Sequence, residues 1–431
     1  MRTEHDMLGT RSLSDDTLYG LQTLRAKENF ITSYHTTNLS LIYAMVQVKK
    51  AAALSYRELH PEESQKWDAI LCACDRILAG DVDDAFCTSA LQGGAGTSTN
   101  MNVNEVIANL ALTVLGEAPG NYDTIHPLDD VNRGQSTNDV YPTALRIAAI
   151  QKLRSLSDAC ASLQESLQKK ELEFDHIKKL GRTELMDAME VTLGSEFGAF
   201  AQGIARDRWR LYKIEERLRQ VNLGGTAVGT GAHADRQYRY LVIEHLRNLT
   251  DIGLATAEYP MDITQNQDVF VEVSGLLKSL AVNLMKIASD LRLMASGPFG
   301  GLHEIILPAL QRGSTIMPGK VNPVMPEMVS QAAMRVIAND TAITLAASNG
   351  NFELNAFLPL IADSLLESLE LLRETVTLFQ KNCIDGIVAD EDSCLETLKC
   401  SRVDLYHRST EIGYDKAEEQ YYQEKSGTTP E

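Results

Sequence analysis

The chain has 431 residues, 44% hydrophobic and 23% charged, an ordinary soluble composition with room for two or three domains or one elongated helical assembly. Its net charge of −19 excludes the basic face that nucleic acid or an anionic membrane surface requires, so an anionic substrate must meet a local positive site. No run of about 18 apolar residues occurs, and the opening residues "MRTEHDMLGTRSL" lack the apolar core of a secretory signal, so a cytoplasmic protein is expected.

In chain order, residues 1–38 carry turn residues and no long period, which predicts a small irregular lobe. Helical periodicity follows, with apolar residues at three- and four-residue steps over Met45–Glu58, Asn102–Leu115, Thr143–Phe174, Leu193–Val221, Asp268–Met294 and Pro326–Ser348. A helix of about 28 residues is about 42 Å long, more than a compact small domain needs, and such rods pack as bundles. Strand-like alternation is scarce, so the fold is expected to be mainly α. From about Cys383 the chain is more charged and is broken by Gly386, Gly413 and Gly427, consistent with a second small lobe.

Several chemistries lack a motif. The seven cysteines are odd in number, and the closest pair, in Cys72-Ala73-Cys74, is too tightly spaced for a usual zinc knuckle, so reduced and mostly buried thiols are expected. Neither a GxGxxG turn after a strand nor a P-loop lysine is present.

Three polar segments stand out, and each is predicted to be a loop beside a long helix. "GGAGTSTNMNVNE", Gly93–Glu105, offers Thr97, Ser98, Thr99, Asn100 and Asn102; "NRGQSTND", Asn132–Asp139, offers Ser136, Thr137 and Asn138 ahead of a helix expected to open at Pro142. Neutral hydroxyls and amides at a helix N-terminus suit an anion, because unpaired N–H groups and the positive end of the helix dipole meet there. Ordinary N-capping uses the same residue types. The third segment, "GSTIMPGKVNP", holds Ser314, Thr315, Lys320 and Asn322 among two glycines and two prolines that no regular helix or central strand accommodates. Converging hydroxyls and amides fix one orientation of a small carboxylate, which points to a polar metabolite.

The same segments, with "GRTELMDAMEVTLGSEF", resemble the aspartase/fumarase superfamily, whose signature loop is close to GSSIMPxKxNP. The likeness runs in family order from "DMLGTRSL" to "STEIGYDK". It implies a three-domain, mainly α subunit: an N-terminal domain over 1–138, a central bundle of long helices over 139–382 and a small C-terminal domain over 383–431. It also implies a homotetramer with active sites shared between subunits. Relatives usually continue past the position of Glu431, so a shortened last domain is expected.

The resemblance assigns roles residue by residue. Ser314 would be the base of an elimination, and Lys320 would stabilise its alkoxide and the substrate carboxylate. Thr97, Ser136, Thr137, Asn138, Thr183 and Asn322 would bind substrate, and Thr315, in place of the family's second serine, keeps a hydroxyl. Glu327 would support the end of the loop. A serine is too weak a base unless a cation and backbone donors hold its alkoxide in a closed, dry site. Gly313 and Gly319 would let the loop close. His233 and His303 lie off the family's catalytic positions and are expected to be structural. No metal or organic cofactor is implied.

One departure bears on substrate. Glu184 follows "GRT", where fumarases and aspartases carry His or Gln that meets the substrate. A carboxylate there repels a dicarboxylate by about 1–4 kcal/mol at 4 Å and favours a cationic or NH-donating group, unless it is protonated, paired with Arg182 or turned outward. Glu190, Phe299 and Leu358 also depart from common family residues. The expected activity is therefore a carbon–nitrogen lyase that eliminates an amine from an amino-acid-type carboxylate. Ergothioneine, losing trimethylamine as in ergothionase, is the first reading. Aspartate ammonia-lyase is the alternative and fumarase the third. A non-catalytic relative would be expected to lose Ser314 or Lys320, and both are present.

Overall fold

The computed structural model describes residues 1–425, and the expected break at Gly427 lies outside them. Helices dominate these residues, and among them no helix is long and apolar enough to cross a membrane. The described residues separate into two compact units, one of residues 1–155, 211–278 and 336–370, the other of 156–210, 279–335 and those from 371 on.

In the first unit the Leu39–Leu59 helix packs against the Ser64–Leu78 and Arg236–Thr250 helices, and Ser64–Leu78 packs in turn on Thr97–Val114. The Leu39–Leu59 helix buries residues on most of its circumference, Ile42, Met45, Val46, Lys49 and Ala52 among them, so it sits in a core rather than on a surface. The N-terminal lobe is more regular than expected: Arg2–Asp6 pairs antiparallel with Gly9–Leu13, and Leu21–Asn29 is a helix. These strands bury only Glu4 and Leu13, so neither carries the apolar alternation that marks a strand in a sequence.

The Leu21–Asn29 helix has no side-chain cap of its own. Glu105, projecting from the Thr97–Val114 helix, accepts hydrogen bonds from the backbone N–H groups of Gly20, Gln22 and Thr23 at 2.8–3.1 Å and from the Thr23 hydroxyl at 2.6 Å. A carboxylate at that end satisfies orphan donors and faces the dipole's positive pole. Burial raises the Glu105 carboxyl against the pull of those donors.

The second unit contains a hairpin, Lys178–Thr183 with Met186–Thr192, that packs on the Glu391–Lys399 helix. Its core pairing is electrostatic as well as apolar. Glu304, only 1% exposed, binds Lys179 Nζ and Arg182 Nη1, each at 2.6 Å, and Lys179 also reaches Glu196 at 2.8 Å. Cys74, Cys160, Cys383 and Cys394 are buried free thiols, whereas Cys72 and Cys400 are exposed.

Candidate active site

Two of the three polar segments open helices rather than precede them. The Thr97–Val114 helix begins four residues after Gly93, and the Thr137–Glu173 helix begins five residues before Pro142. Turn-forming Gly, Ser, Thr and Asn mislead here because the same residues form caps and first turns. Pro142 is tolerated inside the helix because the Asn138 carbonyl, which its missing N–H would have bonded, accepts instead from Asn222 Nδ2 at 3.0 Å.

Ser136 and Asp139 form a capping box: the Asn138 N–H donates to Ser136 Oγ at 3.2 Å, and the Ser136 N–H donates to Asp139 Oδ1 at 2.9 Å. Thr137 Oγ1 accepts from Asn100 Nδ2 at 3.1 Å. Each hydroxyl oxygen already accepts, so its own proton remains available for donation to an anion. Asn138 Nδ2 donates to the Ala227 carbonyl at 2.8 Å and keeps one further N–H. Thr97 is oriented differently. Its hydroxyl donates to the Gly94 carbonyl at 2.7 Å and must release it before it can donate to a carboxylate. Gly96, just before it, has φ +92°, and a Cβ there would lie 2.2 Å from the Tyr141 ring, so only glycine fits.

Behind these hydroxyls lies a buried polar hub that sequence reasoning missed. Lys49 Nζ donates to Asn132 Oδ1 at 2.7 Å and to Gln135 Oε1 at 3.0 Å. Asn132 Oδ1 also accepts from Asn100 and Asn104, each at 3.2 Å. Asp139 Oδ2 accepts the N–H groups of Gly224 and Thr226, both at 3.0 Å. Burial pushes the Lys49 ammonium down to about 7, opposed by the charge of Asp139, and pushes the Asp139 carboxyl up to about 6, opposed by its backbone donors and by Lys49. The signal was present: Lys49 falls one helical turn after Met45, in phase with the apolar face, whereas a "KK" pair invites a solvated reading.

In the second unit the Ser314 loop is closed by its own bonds. Gly313 N–H donates to the Lys320 carbonyl at 2.9 Å, and Asn322 Nδ2 donates to the Gly313 carbonyl at 2.6 Å. A Cβ on Gly313 would lie 2.4 Å from the Lys320 oxygen, so the closure requires glycine. Within the loop, Ser314 Oγ accepts from the N–H groups of Ile316 at 3.2 Å and Met317 at 2.9 Å. Two backbone donors on one hydroxyl oxygen favour its ionised form, which is the electrostatic support a serine base needs. Ser314, Thr315 and Lys320 line one hollow of about 650 Å³, and Lys320 and Asn322 line a neighbouring one of about 590 Å³ with Phe299 and His303. Glu327, in the first turn of the Val324–Ala347 helix, lies 3.9 Å from Arg292.

Thr183 ends the first strand of the Lys178–Thr192 hairpin, and Glu184 and Leu185 form its two-residue turn, with φ 54° and 65°. Thr183 and Glu184 are both exposed. Arg182 does not pair with Glu184; its guanidinium is held by Glu304. His233 is exposed with φ 68°, and His303 lies 3.4 Å from Asp390.

Comparisons with known proteins show the family. A lyase family profile matches residues 9–338. An aspartate ammonia-lyase of a Bacillus species is 44% identical over 417 residues, covering 97% of this chain and 89% of that protein. One from Pseudomonas fluorescens is 45% identical, covering 96% and 88%. Among solved structures, a fumarate lyase:delta crystallin from Brucella melitensis superposes with a TM-score of 0.95 at 44% identity, covering 99% of this chain and 94% of that one. A class II fumarase from Schistosoma mansoni gives 0.93 at 31% identity, covering 97% and 91%. These relatives overturn the ergothioneine expectation. That expectation rested mainly on Glu184, whereas relatives over nearly the whole chain at 43–45% identity carry the name aspartate ammonia-lyase. The chain belongs to the aspartase/fumarase superfamily and is a carbon–nitrogen lyase.

Proposed function

We propose that the protein is an aspartate ammonia-lyase, converting L-aspartate to fumarate and ammonia. The observation that carries this reading is the 43–45% identity to enzymes of that name over 96–97% of the chain. Ser314 takes a proton from the substrate carbon next to the side-chain carboxylate. The released electron pair is held in that carboxylate, then forms the double bond as the carbon–nitrogen bond breaks and ammonia departs. The Ile316 and Met317 N–H groups stabilise the Ser314 alkoxide. Lys320 supplies positive charge to the alkoxide and a substrate carboxylate, and Thr315 stands beside the base in the same hollow.

Thr97, Ser136, Thr137, Asn138, Thr183 and Asn322 bind the two carboxylates, and Glu327 anchors the end of the loop. Glu184, the residue that first suggested a different substrate, accepts a hydrogen bond from the α-ammonium of aspartate, a cationic group that suits its charge. This chemistry belongs in a cytoplasmic homotetramer with sites shared between subunits, and in a subunit organised as 1–138, 139–382 and 383–431.

The test is an ultraviolet assay of fumarate formed from L-aspartate and from L-malate, with the Ser314→Ala variant alongside. Fumarate from aspartate, lost in the variant, is the expected result. Turnover of malate without aspartate would overturn the reading in favour of a fumarase, and aspartate turnover surviving in Ser314→Ala would remove Ser314 as the base.

A further inference from the structure

Lys49 is 1% exposed and is the cation at the centre of the polar hub behind Ser136–Asn138. The hub joins two helix starts. Asn100 and Asn104 come from the Thr97–Val114 helix; Asn132 and Gln135 come from the segment that leads into the Thr137–Glu173 helix. Asn132 Oδ1 receives three donors at once, one of them the Lys49 ammonium. The same Asn100 amide that donates to Asn132 also donates to Thr137 Oγ1, so the hydroxyl's rotor depends on where Asn132 sits. On the far side, the Asp139 carboxylate fixes the Ser136 N–H and the Gly224–Thr226 segment. A buried ammonium is costly unless it is hydrogen-bonded, and the two bonds Lys49 donates, to Asn132 and Gln135, hold those side chains in one arrangement. Here the arrangement so fixed is that of the hydroxyls assigned to substrate.

We propose that Lys49 is a positioning residue for substrate binding: through Asn132 and Asn100 it sets the donor direction of the Thr137 hydroxyl and the register of the Ser136–Asn138 turn. It does not touch substrate and takes no part in proton abstraction. The inference rests on the assignment of Ser136, Thr137 and Asn138 as carboxylate ligands.

The experiment compares wild type with Lys49→Met, Asn132→Ala and the double variant in the full chain. Steady-state kinetics on L-aspartate are measured together with amide hydrogen exchange of residues 132–140 in the absence of substrate. Loss of uniform binding raises KM and spares kcat, so each single variant is expected to raise KM about tenfold while kcat stays within about twofold. Groups acting through one network are non-additive, so the double variant should raise KM by little more than either single one. Exchange over 132–140 should accelerate in both. Unchanged KM in both single variants, or KM effects that multiply in the double variant, would overturn the proposal. Asn132→Ala removes no buried charge, so it keeps the question answerable if Lys49→Met does not fold. If wild type does not turn over aspartate, the functional reading fails separately, and exchange that stays slow over 132–140 in both single variants would by itself refute the Lys49 linkage.

Discussion

The groups assigned to substrate at the helix start Ser136–Asn138 and those on the Ser314 loop and the Lys178–Thr192 hairpin are supported in opposite ways. At the helix start, the bonds reach other segments: Thr137 Oγ1 accepts from Asn100, Asn138 Nδ2 donates to the Ala227 carbonyl, and Asp139, which holds the Ser136 N–H, also accepts from the Gly224 and Thr226 N–H groups. On the loop, the bonds are internal to the loop, from Gly313 to Lys320 and Asn322, and Lys320 is exposed. A segment bonded mainly to itself can move as a body without breaking its own geometry, and loops that carry catalytic groups draw on that freedom. A helix start bonded to a buried hub cannot. The groups assigned to substrate at the helix start are thus pre-built, while the proposed base sits on a segment free to move.

Removing the base gives the largest effect expected from this difference. Ser314→Ala should lower kcat by about 10³-fold, since general-base catalysis by a positioned side chain contributes about 10²–10⁴. Stability should change by less than about 0.5 kcal/mol, because a half-exposed loop hydroxyl holds no core together. Kinetics and thermal unfolding on the same preparation check both. A large loss of stability would mean that the loop is braced by more than its own bonds.

The hairpin offers a sharper contrast, because its support is buried while the tip assigned to substrate is not. Glu304 carries two cations, Lys179 and Arg182, and Thr183 follows Arg182 in the chain. Breaking a buried pair by neutralising one partner costs about 3–5 kcal/mol, so Glu304→Gln should lower the denaturant midpoint strongly. Its effect on KM should be smaller than that of Lys49→Met, since Glu304 bonds the strand and not the assigned ligand. If Glu304→Gln raised KM as much as Lys49→Met, the exposed tip would be as rigidly coupled to its support as the helix start is.

What was legible in the sequence follows the range of the interactions. The long helices at Leu193–Leu218 and Asp268–Met294 show in apolar spacing because each repeats its burial every turn. The Ser314 loop shows because glycine and proline exclude alternatives locally. The starts at Thr97 and Thr137 were displaced into loops, since cap residues and turn residues are the same residues. Glu304 with Lys179 was not legible at all: the partners are 125 positions apart, and neither has a local pattern that names the other. Glu184 misled in a different way. Its place on an exposed two-residue turn weakens the repulsion that was built on it, because exposed charges are screened by solvent.

The hub should also show itself in the pH dependence of stability. A lysine whose folded pKa lies below its unfolded value binds fewer protons folded than unfolded between the two, so stability rises with pH across that window. For Lys49 the window runs from about 7 to its ordinary value of 10.5, with a slope of at most about 1.4 kcal/mol per pH unit. Asp139, raised from 3.8 to about 6, acts with the opposite sign: the folded state binds more protons there, so its contribution falls as pH rises through that window. Unfolding free energies measured against pH should therefore show wild type gaining on Lys49→Met between pH 7 and 10. Parallel curves in that range would place the charge change elsewhere.

The smallest effect is expected at the hairpin tip, and its sign carries the information. Glu184 and Leu185 both occupy left-handed conformations, as a two-residue hairpin turn requires, and Asn-Gly suits those positions better than Glu-Leu. Replacing both, Glu184→Asn with Leu185→Gly, should raise stability by about 1 kcal/mol, because the strain of two side chains at positive φ is relieved. Glu184→Gln alone leaves the turn and removes only the charge. If Glu184 receives the α-ammonium of aspartate, KM should rise by a few-fold, about 1 kcal/mol for an exposed ionic contact. If Glu184 only repels the carboxylates, KM should fall by a similar factor. An unchanged KM would show that the turn stays in solvent while substrate binds, and that the tip takes no part in recognition.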